Sequence, residues 1–148
     1  MKNFRYTLAL FICIGLGFSF TNDANAQLTE GVFPAAGSPA NPEVPASWNK
    51  YYTYQGISDL TEELADAHPD LIKRESIGKS YEGRDIWLLT VTNFNEGNAD
   101  RKPAMYIDGN IHSNEIQGTE VSLYTAWYLA EMYGDNDFIT QLLDEKTF

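Results

Sequence analysis

The stretch 54–67 has apolar residues at helical spacing, with acidic residues between them. This pattern is typical of an amphipathic helix whose apolar side faces a core. The helix is predicted to end before Pro69, because the residue that precedes a proline is pushed out of the α region. The apolar positions are Ile57, Leu60, Leu64 and Ala67.

Two further runs follow, at residues 71–77 and 85–92, and the second of them is rich in β-branched and aromatic residues. The sequence between them, GKSYEGR, contains two glycines, so the pattern predicts two strands joined by a turn. Gly83 is expected to supply a positive φ in that turn. After a polar loop, residues 104–108 (AMYID) predict a short strand of the buried kind.

A second helix is predicted over residues 115–133, where a broad apolar stripe is expected to face the core. Gly134 is well placed to cap its C-terminal end. A short helix near residues 136–144 and a new strand from residue 146 complete the pattern. The stripe of the second helix consists of Val121, Tyr124, Trp127, Tyr128 and Met132.

A strand followed directly by a long helix indicates an α/β sheet with helices on its faces. Sheets of this kind bind ligands in the loops beyond the carboxyl ends of their strands. Residues 109–115 occupy such a loop, and it reads GNIHSNE.

The first 26 residues predict a secretory signal peptide. Lys2 and Arg5 precede an apolar run at residues 8–20, and the sequence ANA ends at Ala26, where cleavage is predicted. A membrane anchor is the rival interpretation, but a helix of that length reaches only about 20 Å across roughly 30 Å of hydrocarbon. A lipoprotein site at Cys13 is disfavoured, because a bulky isoleucine precedes it and the apolar run continues past it.

The proline-rich stretch 27–47 is predicted to be a linker, and residues 48–148 are predicted to be the folded part. Four of the six prolines fall in this linker, a composition that cannot bury enough apolar surface to fold alone.

Charge and cysteine content limit the partners that this protein can have and the ways in which its fold can be stabilised. The formal net charge of −11 argues against nucleic acid and anionic membrane as partners. No second hydrophobic span follows the predicted signal, so the mature protein is expected outside the membrane. The single cysteine lies within the predicted signal, so the exported fold must depend on its core, or on a bound metal, without a disulfide.

His112 and Glu115 are the candidate metal ligands. Side chains three residues apart share a face where a helix begins, and imidazole and carboxylate are both zinc ligands. The placement of this pair between a strand and a helix favours a metal site. The alternative is that His112 forms a hydrogen bond in a turn while Glu115 favours the positive end of the following helix.

Several segments resemble the zinc carboxypeptidases of the M14 type, over residues 51–148. The similar segments, in order, are YYTY (51–54), AHPDL (67–71), IGKSYEGR (77–84) and KPAMYIDGNIHSNE (102–115). The resemblance implies a mixed central sheet with helices on both faces, of which this segment is the N-terminal part. It also implies one Zn²⁺ ion and a peptide or protein substrate cleaved at its C-terminal end.

The resemblance assigns His112 and Glu115 as the first two zinc ligands. The third ligand, the general base and the groups that bind the substrate carboxylate are expected beyond residue 148, so no catalytic residue is assigned and residues 1–148 alone are expected to be inactive. His68 matches the family's segment at the end of the first helix and not one of the family's metal ligands. Asp108 is either a partner that holds His112 or a residue that begins the turn.

Asn114 departs from the pancreatic type, where the matching position carries arginine along the substrate groove. With Asn114 at this position, the sequence does not define the class of substrate. Alternatively, Asn114 is the N-cap of the second helix. Alternatives to an exported carboxypeptidase are a zinc amidase or deacylase of the same fold, acting on acyl-amino acids or cell-wall peptides, and a non-catalytic binding module.

Overall fold

The computed structural model describes residues 37–148. The predicted signal peptide and the first part of the predicted linker lie outside the described residues. The helices and strands are α1 (Tyr54–Ala67), β1 (Ile72–Lys79), β2 (Asp85–Val91), a 3₁₀ turn (Ala99–Arg101), α2 (Gln117–Glu131) and α3 (Asp137–Glu145). The predicted helices and the predicted hairpin are thereby confirmed.

Helix α1 begins and ends for local reasons. The Thr53 hydroxyl accepts a hydrogen bond from the backbone N–H of Gly56, which satisfies one of the free donors of the first turn. The helix ends at Ala67, before the proline, and it buries Leu60 and Leu64 against the rest of the molecule.

Strands β1 and β2 form an antiparallel hairpin in which Ile72 pairs with Val91 and Ser76 pairs with Trp87. Gly83 has a φ of +80°, as predicted for the turn. Arg74 fastens the hairpin to α1, since its guanidinium lies 3.4 Å from the centre of the Trp87 ring and donates to Thr61 Oγ1 at 3.0 Å.

The last residues of the chain form backbone hydrogen bonds with this hairpin. Phe148 and Val91 exchange both backbone hydrogen bonds, at 2.8 and 2.9 Å, which is the pattern of an antiparallel pair. On the other side, Thr147 forms a parallel bridge with Ala104. In place of the strand predicted from residue 146, an isolated bridge and these backbone hydrogen bonds connect the hairpin to the segment that leads to the candidate metal loop, and the sheet within residues 37–148 consists of β1 and β2.

The strand predicted at residues 104–108 is wrong beyond its first residue. Only Ala104 pairs within the described residues, and the side chains of Met105 and Tyr106 are 59% and 76% exposed. A buried strand of this kind needs a hydrogen-bonded neighbour on each side and cover on both faces, and within residues 37–148 only the end of the chain provides one.

The core lies between α1, α2, α3 and the hairpin. Trp127 is 1% exposed, and Leu64, Ile72 and Leu143 are also fully buried. The core position of Trp127 was predicted from the stripe on α2, but Val121 of the same stripe is 63% exposed. Val121 lies on the side of α2 that faces a cavity of about 450 Å³ and not the core.

Residues 43–52 run along α2 and are called the N-terminal strap. Val44 and Ala46 of the strap are only 4% and 3% exposed, although they lie in the stretch whose composition predicted a linker. Trp127 Nε1 donates to the carbonyl of Val44 at 2.8 Å. Packing of the chain therefore begins before Trp48. No helix within residues 37–148 is both long and apolar enough to span a membrane.

Candidate metal site

The loop that carries the candidate ligands joins the segment after Ala104 to α2. Two turns shape it, because Glu115 N–H donates to the carbonyl of His112 at 2.8 Å and Gly118 N–H donates to the carbonyl of Glu115 at 2.9 Å. Asn110, at the start of the loop, has a φ of +65°, a left-handed conformation that asparagine adopts more readily than most residues. The turns bring residues 112 and 115 onto the same side of the loop.

His112 and Glu115 meet there. The distance between His112 Nδ1 and Glu115 Oε2 is 3.1 Å, and the backbone N–H of His112 also points to Glu115 Oε2, at 3.4 Å. The two side chains are 75% and 54% exposed. An imidazole nitrogen and a carboxylate oxygen therefore converge on an accessible surface.

The chemistry of this pair fits two positions of a zinc shell. Catalytic zinc takes three protein ligands from imidazole, carboxylate or thiolate and keeps a position for water. Within residues 37–148 no group of three such side chains comes together. His112 and Glu115 are therefore candidates for two positions of such a shell, and residues 37–148 bring no third donor to them.

Asp108 and Asn114 lie near the pair, and the structure contradicts one of the roles considered for them, the N-cap role of Asn114. Nδ1 of His112 forms a hydrogen bond with Glu115, and among the described hydrogen bonds none joins His112 to Asp108. The N-cap of α2 is Ile116, with no side-chain cap, so the N-cap prediction for Asn114 is wrong. Both residues, with Tyr51, line a cavity of about 720 Å³ beside Glu115.

His68 has a structural role. Its Nε2 atom lies 3.1 Å from Glu131 Oε1, and the two side chains are 10% and 3% exposed. This pair connects the end of α1 to the end of α2, whereas the candidate ligands precede the beginning of α2.

Two further features of the site were not predicted from the sequence. Gly109 and Gly118 touch through their backbones at the base of the loop, a contact that has no signal in the sequence beyond the two glycines themselves. Glu120, one turn into α2, accepts a hydrogen bond from the backbone N–H of Tyr52 at 2.8 Å. That bond ties the N-terminal strap to the beginning of α2.

Tyr52 itself is anchored in the strap. Its hydroxyl donates to the carbonyl of Ser47 at 3.0 Å. Burial raises the pKa of the Tyr52 phenol above its usual value, the backbone N–H of Ser47, which donates to the phenol oxygen at 3.2 Å, lowers it in part, and the negative charges of Glu120 and Glu63 raise it further. The neutral phenol is therefore the form that this site stabilises.

The fold and the loop together define an α/β protein with two zinc-type donors at an exposed loop of its sheet. The profile of the family described as "Zinc carboxypeptidase" matches residues 57–148. The chain belongs to the zinc carboxypeptidase family.

Named relatives agree with this assignment. The chain is 34% identical to carboxypeptidase B of Canis lupus familiaris over 112 residues, covering 72% of this chain and 25% of the relative. It is 37% identical to carboxypeptidase A1 of Bos taurus over 94 residues, covering 64% of this chain and 22% of the relative. The chain therefore spans about a quarter of the length of these relatives.

The fold is also similar to a solved structure. Thrombin activatable fibrinolysis inhibitor superposes with a TM-score of 0.61 at 27% identity, over 68% of this chain and 24% of that one. The α/β zinc-carboxypeptidase fold predicted from the sequence is thus confirmed for the segment.

Proposed function

We propose that the protein is an exported zinc metallocarboxypeptidase that hydrolyses C-terminal peptide bonds, with His112 and Glu115 as two of its zinc ligands. The observation that carries the proposal is the 3.1 Å approach of His112 Nδ1 to Glu115 Oε2 on an exposed loop of a chain that belongs to this family. The third ligand, the general base and the carboxylate-binding groups are proposed to lie outside residues 1–148.

Bound zinc would supply a Lewis acid for the scissile carbonyl and a water of lowered pKa. The part played by this chain is to present the donors. The Glu115 carboxylate brings negative charge to a cation, and the neutral imidazole of His112 brings a nitrogen lone pair. Because both side chains are exposed, a zinc ion held by them would be accessible to a substrate.

The experiment compares metal content in the complete protein that contains this segment. We expect His112→Ala and Glu115→Gln each to lose stoichiometric zinc and peptidase activity, measured by atomic emission and by release of C-terminal amino acids. His68→Gln is the matched control, because it removes the other histidine of the chain. It should keep its zinc and lose only thermal stability.

Undiminished zinc in the His112→Ala protein would contradict the assignment of the ligands. If the unsubstituted protein binds zinc but hydrolyses no peptide, the binding-module alternative is favoured instead.

Asn114 supports a second candidate for the substrate. A neutral amide lines the cavity beside Glu115 where pancreatic-type enzymes carry arginine, so an acyl-amino acid or a cell-wall peptide is the alternative to an extended peptide. Comparison of kcat/KM for an extended peptide and for an N-acyl dipeptide decides between them. Asn114→Arg should favour the extended peptide if that residue faces the substrate.

Export is proposed from the N-terminal pattern, with cleavage after Ala26. Intact-mass measurement of the protein recovered from outside the cytoplasm should then give a chain that starts at Gln27. A recovered chain that retains residues 1–26 would exclude the cleavage.

A further inference from the structure

The base of the metal loop is closed by two glycines in backbone contact. A Cβ atom placed on Gly109 would collide with the carbonyl carbon and oxygen of Gly118 and would lie 2.9 Å from its Cα. A Cβ atom placed on Gly118 would lie 2.8 Å from the backbone nitrogen of Asn110 and 3.2 Å from the Cα of Gly109. The atoms met on both sides are backbone atoms, which cannot rotate away as the end of a side chain can.

The two glycines stand at the two ends of the loop that bears His112 and Glu115. Within the loop, the donors are held by the turns at residues 112–115 and 115–118. After Gly118, helix α2 continues into the core through Leu123 and Trp127, which are 5% and 1% exposed. The core residues hold α2 in place. Because Gly118 belongs to α2, its contact with Gly109 also holds the start of the loop in place.

Gly118 is the second residue of α2 and lies in its first turn. Alanine is intrinsically the better helix former, because it has less backbone freedom to lose than glycine. A glycine at this position is therefore consistent with a need for close backbone approach.

We infer that the contact between Gly109 and Gly118 sets the position of the metal loop, and that both glycines are positioning residues for zinc. Neither offers a donor to the metal. A side chain at either position would push the start of the loop away from α2 and shift His112 relative to Glu115. Metal sites tolerate little such displacement, about 0.5 Å in designed proteins. The inference rests on the proposed function, since it takes His112 and Glu115 as ligands.

The test measures zinc affinity and metal geometry in the complete protein. Gly118→Ala and Gly109→Ala are compared with Thr125→Ala, a control at a half-buried position further along the same helix. Affinity is measured by competition with a chromogenic chelator, and geometry by the visible absorption of the cobalt-substituted protein. Folding is followed by near-ultraviolet circular dichroism and thermal unfolding of the metal-free protein.

We expect both glycine variants to lose at least about tenfold in zinc affinity, the size of effect seen when groups that orient metal ligands are removed. Their cobalt spectra should change, while their near-ultraviolet spectra remain those of the folded protein. Thr125→Ala should match the unsubstituted protein in all three measurements.

Two results would overturn the inference. One is zinc affinity and a cobalt spectrum unchanged in both glycine variants. The other is loss of metal only in proportion to a general loss of folding, which would make the contact a plain packing feature. A His112→Ala variant measured in parallel distinguishes failure of the proposed function from failure of the inference. If this variant keeps its zinc, the proposed function fails. If it loses its zinc while the glycine variants keep theirs, only the inference fails.

Discussion

Glu131 joins three parts of the chain through one carboxylate. Its oxygens accept hydrogen bonds from the backbone N–H groups of Glu43 and Val44, at 2.6 and 2.8 Å, and lie 3.1 Å from His68 Nε2. The side chain is 3% exposed, so water cannot easily replace these partners. Glu131 thereby holds the N-terminal strap against α2 and the end of α1.

Substitution Glu131→Gln tests this role. The amide has one acceptor oxygen in place of two and no charge, so one of the backbone N–H groups of Glu43 and Val44 loses its charged acceptor, at a cost of about 1–3 kcal/mol in the free energy of unfolding. Urea unfolding of the complete protein measures the loss. Glu62→Gln, on an exposed position of α1, is the control and should change stability little. Equal stability of the two variants would show that the strap does not depend on Glu131.

At the scale of elements, polar contacts hold the two strands of the hairpin together next to the turn that joins them. Lys79 Nζ lies 2.6 Å from Asp85 Oδ1, and the Ser76 hydroxyl donates to the same oxygen at 2.7 Å. The hydrogen bond from Lys79, then that from Ser76, holds the pKa of Asp85 below its ordinary value of 3.8. A carboxyl whose pKa is lower in the folded state stabilises the fold above the unfolded pKa, and this contribution is lost as pH falls through the folded pKa.

We expect Lys79→Ala to raise the pKa of Asp85 towards 3.8. The carboxylate carbon signal of Asp85, followed by NMR between neutral and acidic pH, measures the change. Lys146→Ala, which removes a lysine from the other end of the molecule, should leave that titration in place. An Asp85 midpoint that does not move in Lys79→Ala would show that Lys79 is not the main cause of the lowered pKa.

The elements that could be predicted from sequence are those whose causes are local. Helix α1 is defined by its apolar spacing and by Pro69, and the hairpin by two strand-type runs and Gly83. The segment after Ala104 has the composition of a buried strand, but a strand requires partners that lie far along the chain. Burial of Val44 was not predictable for the same reason, since it depends on Glu131 and Trp127, and proline-rich composition alone indicates a linker.

The features of the candidate site also divide into local ones, which the sequence predicts, and tertiary ones, which it does not. The approach of His112 to Glu115 was expected from their spacing of three residues, but a turn before α2 brings them together and not the helix start that was predicted there. Their role as metal ligands stays a prediction. The contact between Gly109 and Gly118 was not predicted, because it is a tertiary approach of two residues that carry no side chain. Whether Asn114 or Ile116 begins α2 depends on one turn of backbone that periodicity does not resolve.

At the scale of the whole molecule, the segment holds two zinc-type donors and exposes several large apolar side chains around them. Ile111 is 81% exposed and Ile116 is 44% exposed. The donors of the metal loop therefore stand on a surface that is only partly covered within residues 37–148.

Residues 27–148 produced alone are expected to bind zinc weakly, because two ligands do not complete a tetrahedral shell. Equilibrium dialysis against buffered zinc measures this, with the complete protein as the positive control. Tight stoichiometric binding by the segment would contradict the proposal that the third ligand lies outside it.

The parallel bridge between Ala104 and Thr147 has a consequence for the order of events during synthesis. The hairpin and α1 can form from neighbouring residues as soon as they emerge, whereas Ala104 has no partner among the described residues until Thr147 has been made. Pairings between distant parts of a chain form late and slowly. We therefore expect the entry to the candidate metal loop to be among the last places in this segment to become fixed, with its apolar residues accessible to chaperones, or to aggregation, during that interval.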